Sequence, residues 1–419
     1  MKNAVKWSSL ALAVAAGNGL LASQAMAEGE GFVEGATATM YNRTLYFNRD
    51  FRDDVGQSKA DETATSFLLN FESGYTKGPI GFGADVMAQE GIKLDSSPDR
   101  SGTGLLPQYN DGSAKSEYME IRGALKMAIL DDTILRYGMH MLSNPVITYD
   151  DVRLLPSHYE GYSITNSSID GLFVEAGRMT DRGERNGSGE REGGLLLDED
   201  LTYAGGSYDF TDNFSVSLYG AKSEESYNRG FAGFDWTVPL TEGTSLNTNF
   251  AYYDTSDEDA ADGNEFDNQA ASLALTLNAG NHAFGVAYQQ MNGDGRYQYT
   301  DSEIYLANSV QYADFNGVDE KSYQARYDYD LAGWGIPGLT FMTRYIAGTD
   351  IDTNSAQHAG VNRDSRWERD VELRYVVPAG FFEGVDIRWR NATVRQDINL
   401  DGGDIDENRL IVGYTWTLL

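Results

Sequence analysis

Apolar and polar residues alternate with a period of two along most of the chain. Ile80, Phe82 and Val86 stand at even positions, and glycine or aspartate occupies the odd positions between them. This alternation is typical of a strand with one apolar and one polar face, because successive side chains point to opposite sides of a sheet. Similar stretches are 66–72, 119–129, 246–252, 273–277, 284–288, 323–329 and 371–377. No window has the spacing of a long amphipathic helix, so the sequence predicts an all-β protein.

The connections between these stretches alternate in length. Short turns are predicted at 76–79, 131–132, 211–213, 241–243, 278–281 and 379–384, and long polar loops at 50–63, 91–115, 180–200, 256–266, 293–320, 349–366 and 397–407. Keeping this order requires a strand near 161–166, which brings the count to about eighteen. An even number of strands, with short turns at one end and long loops at the other, is typical of an outer-membrane β-barrel.

A soluble β-sandwich or solenoid is the alternative to a barrel. It requires a dry core against the apolar faces, whereas most of these strands have a strongly charged second face. In a large barrel, lipid covers the apolar face and a water-filled lumen hydrates the other. Aromatic residues near strand ends, which suit interfacial girdles, are Tyr75, Trp236, Trp367, Tyr375 and Trp416. We therefore predict a single transmembrane antiparallel β-barrel.

The first 27 residues have the features of a signal peptide. Lys2 and Lys6 form a basic region, residues 10–16 are apolar, and the sequence AMA at 25–27 matches a cleavage site. The alternative, a membrane anchor, is disfavoured because the apolar stretch is shorter than the ~20 residues that span a bilayer. We expect an exported chain whose barrel is formed by residues 28–419.

Composition narrows the possible partners. The chain has 64 acidic and 32 basic residues, a net charge of −32, no cysteine and four histidines. Such a chain is repelled by nucleic acid and by anionic surfaces, so no nucleic-acid partner is expected. The lack of cysteine excludes disulfides and thiol–metal sites. We expect no cofactor and no built metal site.

The stretch VDIRWRN at 385–391 places two arginines in the polar phase of an apolar strand. Ile387 and Trp389 share the lipid-facing phase, so Arg388 and Arg390 are predicted to face the lumen. An arginine on the lipid face would cost about 2–4 kcal/mol near the bilayer midplane. The same phase test predicts inward cations at Arg122, Lys126, Arg136, Arg326, Arg344, Arg374 and Arg409. Several lie on consecutive strands, so they should form a basic ladder on one wall.

Two interpretations of the basic ladder remain open. Acids that share the inward phase, and would neutralise the ladder in structural ion pairs, are Glu120, Asp328, Glu368, Asp370, Glu372 and Asp386. The other interpretation is a track of arginines that holds a carboxylate or other anion by bidentate contacts and passes it along. Acids concentrated in loops, as at 254–267 and 397–408, are interpreted as solvated side chains, with divalent-cation binding as a second interpretation.

Several stretches resemble the OprD family of substrate-specific outer-membrane porins. They include LYFNRDFRD (45–53), NPVITYDDVRLLPSHYEGYSITNSSIDGLFVEAGRMT (144–180) and, most specifically, YLANSVQYADFNGVDEKSYQARYDYDLAGWGIPGLTFMTRY (305–345). DIRWRNATVR (386–395) and NRLIVGYTWTLL (408–419) also fit the family. The resemblance therefore extends from the first predicted strand to the last.

The resemblance implies an eighteen-stranded, usually monomeric barrel. Loops at 143–160 and 293–320 should fold inward and narrow the pore. The family resemblance also implies a basic ladder for carboxylate-bearing substrates, and the matching positions are Arg388, Arg390 and Arg409, with Arg326, Arg344 and Arg374 as neighbours. Some relatives look like chitooligosaccharide porins instead.

The first of these loops carries a mixed set of charges. An eyelet is predicted from Asp150, Asp151, Arg153, Ser157 and His158. The alternative is that Asp150 and Arg153 pin the loop to the barrel wall.

The sequence favours passive uptake of small carboxylate-bearing solutes, such as organic acids or amino acids, through a porin of the Gram-negative outer membrane. The expected surroundings are outer-membrane lipid and lipopolysaccharide. One alternative is uptake of neutral or chito-oligosaccharides held by tyrosines of the pore. An outer-membrane hydrolase is disfavoured, because the histidines are scattered and no catalytic motif is present.

Overall fold

The computed structural model describes residues 31–53, 56–130, 132–187, 200–224, 226–257, 267–299 and 304–419. The predicted signal peptide at 1–27 and most of the acidic stretch at 254–267 lie outside the described residues. Among the described residues, no helix is long and apolar enough to cross a membrane.

Eighteen strands form one sheet. Their bounds are β1 Thr37–Phe51, β2 Lys59–Glu72, β3 Ile80–Asp95, β4 Glu117–Ile129, β5 Thr133–His140, β8 His158–Ile169, β9 Leu172–Gly183, β10 Leu201–Thr211, β11 Phe214–Ser223, β12 Tyr227–Thr241, β13 Thr244–Asp257, β14 Asp267–Ala279, β15 His282–Gly293, β16 Lys321–Asp330, β17 Leu339–Thr349, β18 Arg366–Val376, β19 Asp386–Arg395 and β20 Ile405–Thr417. A small hairpin, β6 Ser143–Asn144 with β7 Ile147–Thr148, lies between β5 and β8.

The sheet closes on itself. Strand β1 pairs antiparallel with β2 on one side and with β20 on the other. The remaining neighbours are also antiparallel and consecutive along the chain, apart from the small hairpin. The prediction of an all-β barrel with about eighteen strands is confirmed, and the strand expected near 161–166 is β8.

The two ends of the barrel differ as the alternating loop lengths predict. Two-residue turns connect β10 to β11, β12 to β13 and β14 to β15, whereas long connections follow β3, β15, β17 and β19. In outer-membrane barrels the short turns face the periplasm and the long loops face the cell exterior. Strands β18 to β20 therefore begin or end near the exterior at Arg366, Arg395 and Ile405.

One long connection, the first constriction segment (residues 141–157), folds into the barrel. Its Leu154 and Leu155 are buried and pack in one cluster with Leu45 and Phe47 of β1. Leu45 and Phe47 lie in the lumen-facing phase of their strand, where an open pore would expose them to water. Burial of this apolar surface stabilises the inward position of the segment.

The second constriction segment (residues 304–320) also folds inward. Ala313 and Phe315 pack against Ile346 of β17, and Leu306 joins the apolar cluster that contains Ile147 of the first constriction segment. The predicted inward-folded loops are therefore confirmed in the described part of the chain.

Large apolar side chains cover much of the outer surface of the barrel. Ile121 and Leu125 of β4 and Ile387 and Trp389 of β19 are exposed on it, whereas Arg390, which follows Trp389, is 8% exposed. Lipid covers these apolar side chains. The residues that alternate with them therefore face the lumen, as predicted for the inward cations.

Candidate functional site

The wall formed by β18, β19 and β20 carries five inward arginines, Arg366, Arg374, Arg388, Arg390 and Arg409. The strand register places Arg374 directly opposite Arg388, and Arg390 directly opposite Arg409. Like charges in directly opposite positions repel each other across a sheet. This wall therefore depends on acids placed between its cations, and the positions of those acids decide which cations keep free donors.

Three arginines of the predicted ladder are held by carboxylates. Arg374 donates to both oxygens of Asp386 at 2.9–3.1 Å. Further along the wall, Arg344 donates from Nε to Asp370 at 2.6 Å, with both side chains almost completely buried. The third, Arg326, donates from Nε and Nη2 to its strand neighbour, Asp328, at 2.7 and 2.8 Å.

Arg388 and Arg390 are paired much more loosely. The nearest carboxylate atoms to the Arg388 guanidinium are those of Asp386 at 3.8 Å and Glu372 at 3.9 Å, both beyond hydrogen-bond length. Arg390 Nε lies 3.2 Å from Glu372 but is not aligned to donate to it, and it is buried without a hydrogen-bond partner. Among the described residues, no other carboxylate lies within 4.0 Å of either guanidinium.

The predicted inward cations on β4 and β5 lie on another part of the wall, where acids neutralise them. Lys126 Nζ lies 2.7 Å from one oxygen of Asp85, and Arg136 Nη1 lies 2.6 Å from the other. Arg122 pairs with Glu120 at 2.7 Å. These three cations therefore fit the first interpretation of the ladder, in which acids neutralise the inward cations in structural ion pairs.

Arg409 connects the wall to both constriction segments. Its Nε donates to Glu407 at 2.6 Å, Nη1 donates to the carbonyl of Val152 at 3.3 Å, and Nη2 donates to the carbonyl of Gln311 at 3.4 Å. Its side chain is 2% exposed in the protein. It therefore holds the constriction together and has little surface for contact with a solute.

The first constriction segment is pinned to β1 by Asp151. Arg43 donates from Nη1 and Nη2 to the two oxygens of Asp151 at 2.8 and 2.9 Å, and from Nη1 to the carbonyl of Arg153 at 2.6 Å. Asp150, which the sequence gives with Arg153 as the alternative pin, instead pairs with Arg185. The carboxylate that pins the loop to the wall is therefore that of Asp151 and not that of Asp150.

Not all of the predicted eyelet residues reach the lumen. The backbone N–H of Asp150 donates to Ser157 Oγ at 2.8 Å, and the backbone N–H of Ser157 donates to the carbonyl of Asp150 at 2.8 Å, so this pair closes the loop on itself. His158 is completely buried at the start of β8, 3.7 Å from Glu120. The eyelet prediction is wrong for His158, because strand pairing, not loop geometry, fixes its position.

Arg153, the cation of the predicted eyelet, is partly exposed. Its Nε donates to the carbonyl of Thr103 at 3.2 Å, and its guanidinium lies 5.1 Å from the ring centre of Phe47. Within the described chain, no carboxylate lies within 4.0 Å of it. Burial and, secondarily, the nearby Arg409 lower the pKa of Arg153 to about 9. An added anion would therefore relieve an unfavourable environment for this cation.

A cavity of about 310 Å³ adjoins Arg153 at the constriction. Its lining residues are Arg49, Arg153, Arg296, Tyr299, Gln311, Tyr312, Asp314, Asn316 and Asp401. Burial raises the pKa of Asp314. Burial also acts to raise the pKa of Asp401, but Arg366 and Arg296 outweigh it and the pKa is lowered. The cavity therefore combines cations, acids and phenol groups around water-accessible space.

The second constriction segment is positioned by acids of the wall. Both oxygens of Glu368 accept backbone N–H groups, from Tyr312 at 2.9 Å and from Ala313 at 2.8 Å. Arg366 donates to both oxygens of Glu320 at 2.7 and 2.8 Å. Glu368, predicted as an acid that neutralises the ladder, instead binds loop backbone.

Two cations of β1 are not among the site residues predicted from the sequence. Arg43 and Arg49 lie on β1 in the same phase as the buried Leu45 and Phe47. Arg49 pairs with Glu407 at 2.7 Å and lines the cavity. The phase test that was applied to the later strands would also have found both arginines.

Comparisons with known proteins agree with this architecture. The family described as "outer membrane porin, OprD family" matches residues 30–418. Porin D of Pseudomonas aeruginosa is 38% identical over 447 aligned residues, with 99% of each chain covered. The crystal structure of P. aeruginosa OccK9 (OpdG) has a TM-score of 0.86 at 37% identity, covering 93% of this chain and 100% of that one. The crystal structure of P. aeruginosa OpdK with vanillate has a TM-score of 0.85 at 31% identity, covering 92% and 100%. The chain belongs to the OprD family of outer membrane porins, which are substrate-specific channels of the Gram-negative outer membrane and not enzymes.

Proposed function

We propose that this porin carries small carboxylate-bearing solutes, such as organic acids or amino acids, by passive diffusion along the inward arginines of β19. The observation that carries the proposal is the loose pairing of Arg388 and Arg390. Both guanidinium groups lie in the lumen-facing phase, and neither makes an aligned hydrogen bond to Glu372, the carboxylate that they share. Their partly compensated charge favours an anion that can accept hydrogen bonds from the guanidinium groups.

The strength of the expected contact suits transport. A charge-assisted hydrogen bond contributes about 1.5–3 kcal/mol before screening. Water in the pore screens the attraction over about 8–10 Å at ordinary ionic strength. Glu372 competes for the same two guanidinium groups and weakens solute binding further. A solute would therefore be attracted to the wall and still be released, as conduction requires.

One structural relative supports a carboxylate as the recognised group. The structure of OpdK was determined with vanillate, which is an aromatic carboxylate. The present chain shares the fold of OpdK over 92% of its length. Arg153 at the constriction adds a cation that the carboxylate of a solute would pass on its way to Arg390.

The proposal is tested with pairs of solutes that differ in charge and not in size. Uptake of benzoate and benzamide into proteoliposomes should be compared for the wild type and for the double variant Arg388→Gln with Arg390→Gln. We expect the variant to slow benzoate severalfold and to leave benzamide nearly unchanged, because the amide loses only steric contacts. Equal slowing of both solutes would contradict the proposal.

A variant with the opposite expected effect on benzoate uptake provides the matched control. Glu372→Gln removes the carboxylate that competes for Arg388 and Arg390, so benzoate uptake should rise relative to benzamide. If these arginines only stabilise the barrel, the loss of either partner should lower the resistance of the folded barrel to heat in detergent. A fall in benzoate uptake in this variant, together with lower heat resistance, would support that structural role.

The alternative substrate, a neutral oligosaccharide, has less support. Sugar channels bind their substrates on accessible aromatic faces. The nearly parallel ring pairs Phe234–Phe250 and Tyr345–Trp367 lie in the outward phase of their strands. At the cavity, the hydroxyl of Tyr299 already donates to Asp314 at 2.8 Å, so this donor is engaged within the protein and not offered to a sugar. Faster uptake of a chitooligosaccharide than of benzoate would make this alternative the better one.

A further inference from the structure

The outer surface of β17 and β18 carries an aromatic band, formed by Tyr345 and Trp367, toward the exterior end of the barrel. Tyr345 of β17 and Trp367 of β18 stack with ring centres 5.6 Å apart. Both belong to the outward phase, because Arg344 and Glu368 beside them are buried in the lumen-facing phase. Aromatic bands of this kind mark the boundary between lipid tails and headgroups.

Arg369 lies in this band and faces outward. It stands between Glu368 and Asp370, both of which are completely buried in the opposite phase. The strand register places it directly opposite Tyr345 on one side and Thr393 on the other. Its Nη2 donates to Thr393 Oγ1 at 3.0 Å. No carboxylate of the described residues lies within 4.0 Å of it, so its positive charge is not compensated by the protein.

A second outward arginine lies diagonally from Arg369. Arg395 is directly opposite Trp367, two positions along β19 from Thr393. Diagonal neighbours of this kind have their Cα atoms about 7–8 Å apart, within reach of long side chains. The Arg395 guanidinium lies 5.8 Å from the ring centre of Trp367, and it donates to Asp406 at 3.0 Å. The two arginines can therefore approach one anionic group from adjacent strands.

We propose that Arg369 and Arg395 form a binding site for a phosphate group of a phosphorylated glycolipid in the outer leaflet. A guanidinium group matches the geometry of phosphate oxygens and can bind them through two parallel hydrogen bonds. Arg369 supplies the uncompensated charge, and Arg395, already partly neutralised by Asp406 at 3.0 Å and Asp404 at 4.0 Å, supplies additional donors. The aromatic band places the site at headgroup depth.

The site selects this lipid by charge and position. Lipopolysaccharide is the phosphorylated lipid of the exterior leaflet in Gram-negative outer membranes, and the long loops place Arg369 near the exterior end of β18. Basic clusters at headgroup depth are the usual way in which membrane proteins recognise anionic lipids. The inference is independent of the solute that passes through the lumen, because Arg369 faces away from it.

The test measures lipid binding to the purified, folded barrel in detergent by native mass spectrometry. The probes are bisphosphorylated lipid A, the same lipid without phosphate, and phosphatidylglycerol. We expect Arg369→Gln to bind bisphosphorylated lipid A about tenfold more weakly than the wild type, because it loses a charge-assisted contact. Arg369→Lys, which keeps the charge without the bidentate geometry, should be intermediate. Dephosphorylated lipid A should bind all variants equally weakly.

Arg178→Gln is the matched control. Arg178 of β9 also faces outward, next to the buried Met179, but its Nη2 lies 2.5 Å from Asp200 and 2.9 Å from Glu224. Its charge is already compensated, so its variant should bind lipid A like the wild type. Unchanged affinity in Arg369→Gln, or an equal loss in Arg178→Gln, would overturn the site. Equally tight binding of phosphatidylglycerol would overturn the choice of lipid.

Discussion

Replacement of Arg43 by methionine should release the first constriction segment from the barrel wall. Arg43 makes four hydrogen bonds with this segment: two to the carboxylate of Asp151, one to the carbonyl of Asp151 and one to the carbonyl of Arg153. Methionine keeps much of the apolar stem and removes every donor. The substitution therefore removes the pin and adds no bulk to the lumen.

The expected cost follows from the burial of the ion pair. The side chains of Arg43 and Asp151 are only 7% and 9% exposed. Removal of one partner from a buried pair costs about 3–5 kcal/mol, because the other charge is left buried and uncompensated. A change of ~1.4 kcal/mol alters a population tenfold. The docked form of the segment should therefore lose at least about a hundredfold in preference, although apolar packing of Leu154 and Leu155 opposes its release.

Single-channel recording in a planar bilayer detects this release. We expect Arg43→Met to show a larger conductance than the wild type, or frequent transitions to a larger conductance, because the segment no longer narrows the pore continuously. The barrel itself should remain folded, since its strand pairing does not involve the segment. Resistance to heat in detergent should therefore change little.

The double variant Arg43→Met with Asp151→Leu separates the pin from other effects. It leaves no buried charge without a partner, so the segment should dock more firmly than in Arg43→Met alone. The conductance should return toward the wild-type value. Wild-type conductance and noise in Arg43→Met would refute the assignment of this ion pair as the pin of the constriction.

Three further predictions follow from contacts of the wall and the loops. Glu368→Gln should weaken the docking of the second constriction segment, seen as increased current noise, because an amide has one acceptor where the carboxylate has two. The pKa of Asp401 is lowered, so its pairing with Arg366 should persist as the pH falls to about 3.8, the ordinary pKa of an aspartate, and should be lost only below that pH. Asp401→Asn should remove this pairing at pH 7 and increase the current noise, as expected for Glu368→Gln. An epitope tag at Asn354 should be labelled on intact cells and one at Asp212 should not; the reverse would contradict the orientation of the barrel.

The barrel could be predicted from sequence because its strands obey a simple phase rule. Each strand presents one face to lipid and the other to water, so the alternation at Ile387 and Trp389 also gives the direction of Arg388 and Arg390. The alternation of short turns and long loops then gives the strand count and order. These signals are local in sequence and need no knowledge of pairing partners.

The ion pairs of the site could not be predicted in the same way. The phase rule places Arg374 and Asp386 on one side of the sheet, but it does not give the register that brings them together. The sequence gives Asp150 and Arg153 as the alternative pin of the first constriction segment, whereas the structure places Asp151 in that role. Asp150 and Asp151 differ only in the path of the loop backbone, which depends on packing against Leu45 and Phe47.

The distribution of acids, and not the number of arginines, determines where the lumen can hold an anion. The register opposes Arg374 to Arg388 and Arg390 to Arg409, so this wall would repel itself without carboxylates. Arg374 and Arg409 are satisfied by aligned carboxylates, whereas Glu372 lies near Arg388 and Arg390 without an aligned hydrogen bond. One shared acid partly compensates two cations, and in the proposed function their remaining donors bind a passing carboxylate. A change of solute preference within this barrel would therefore require movement of an acid more than the addition of a further arginine.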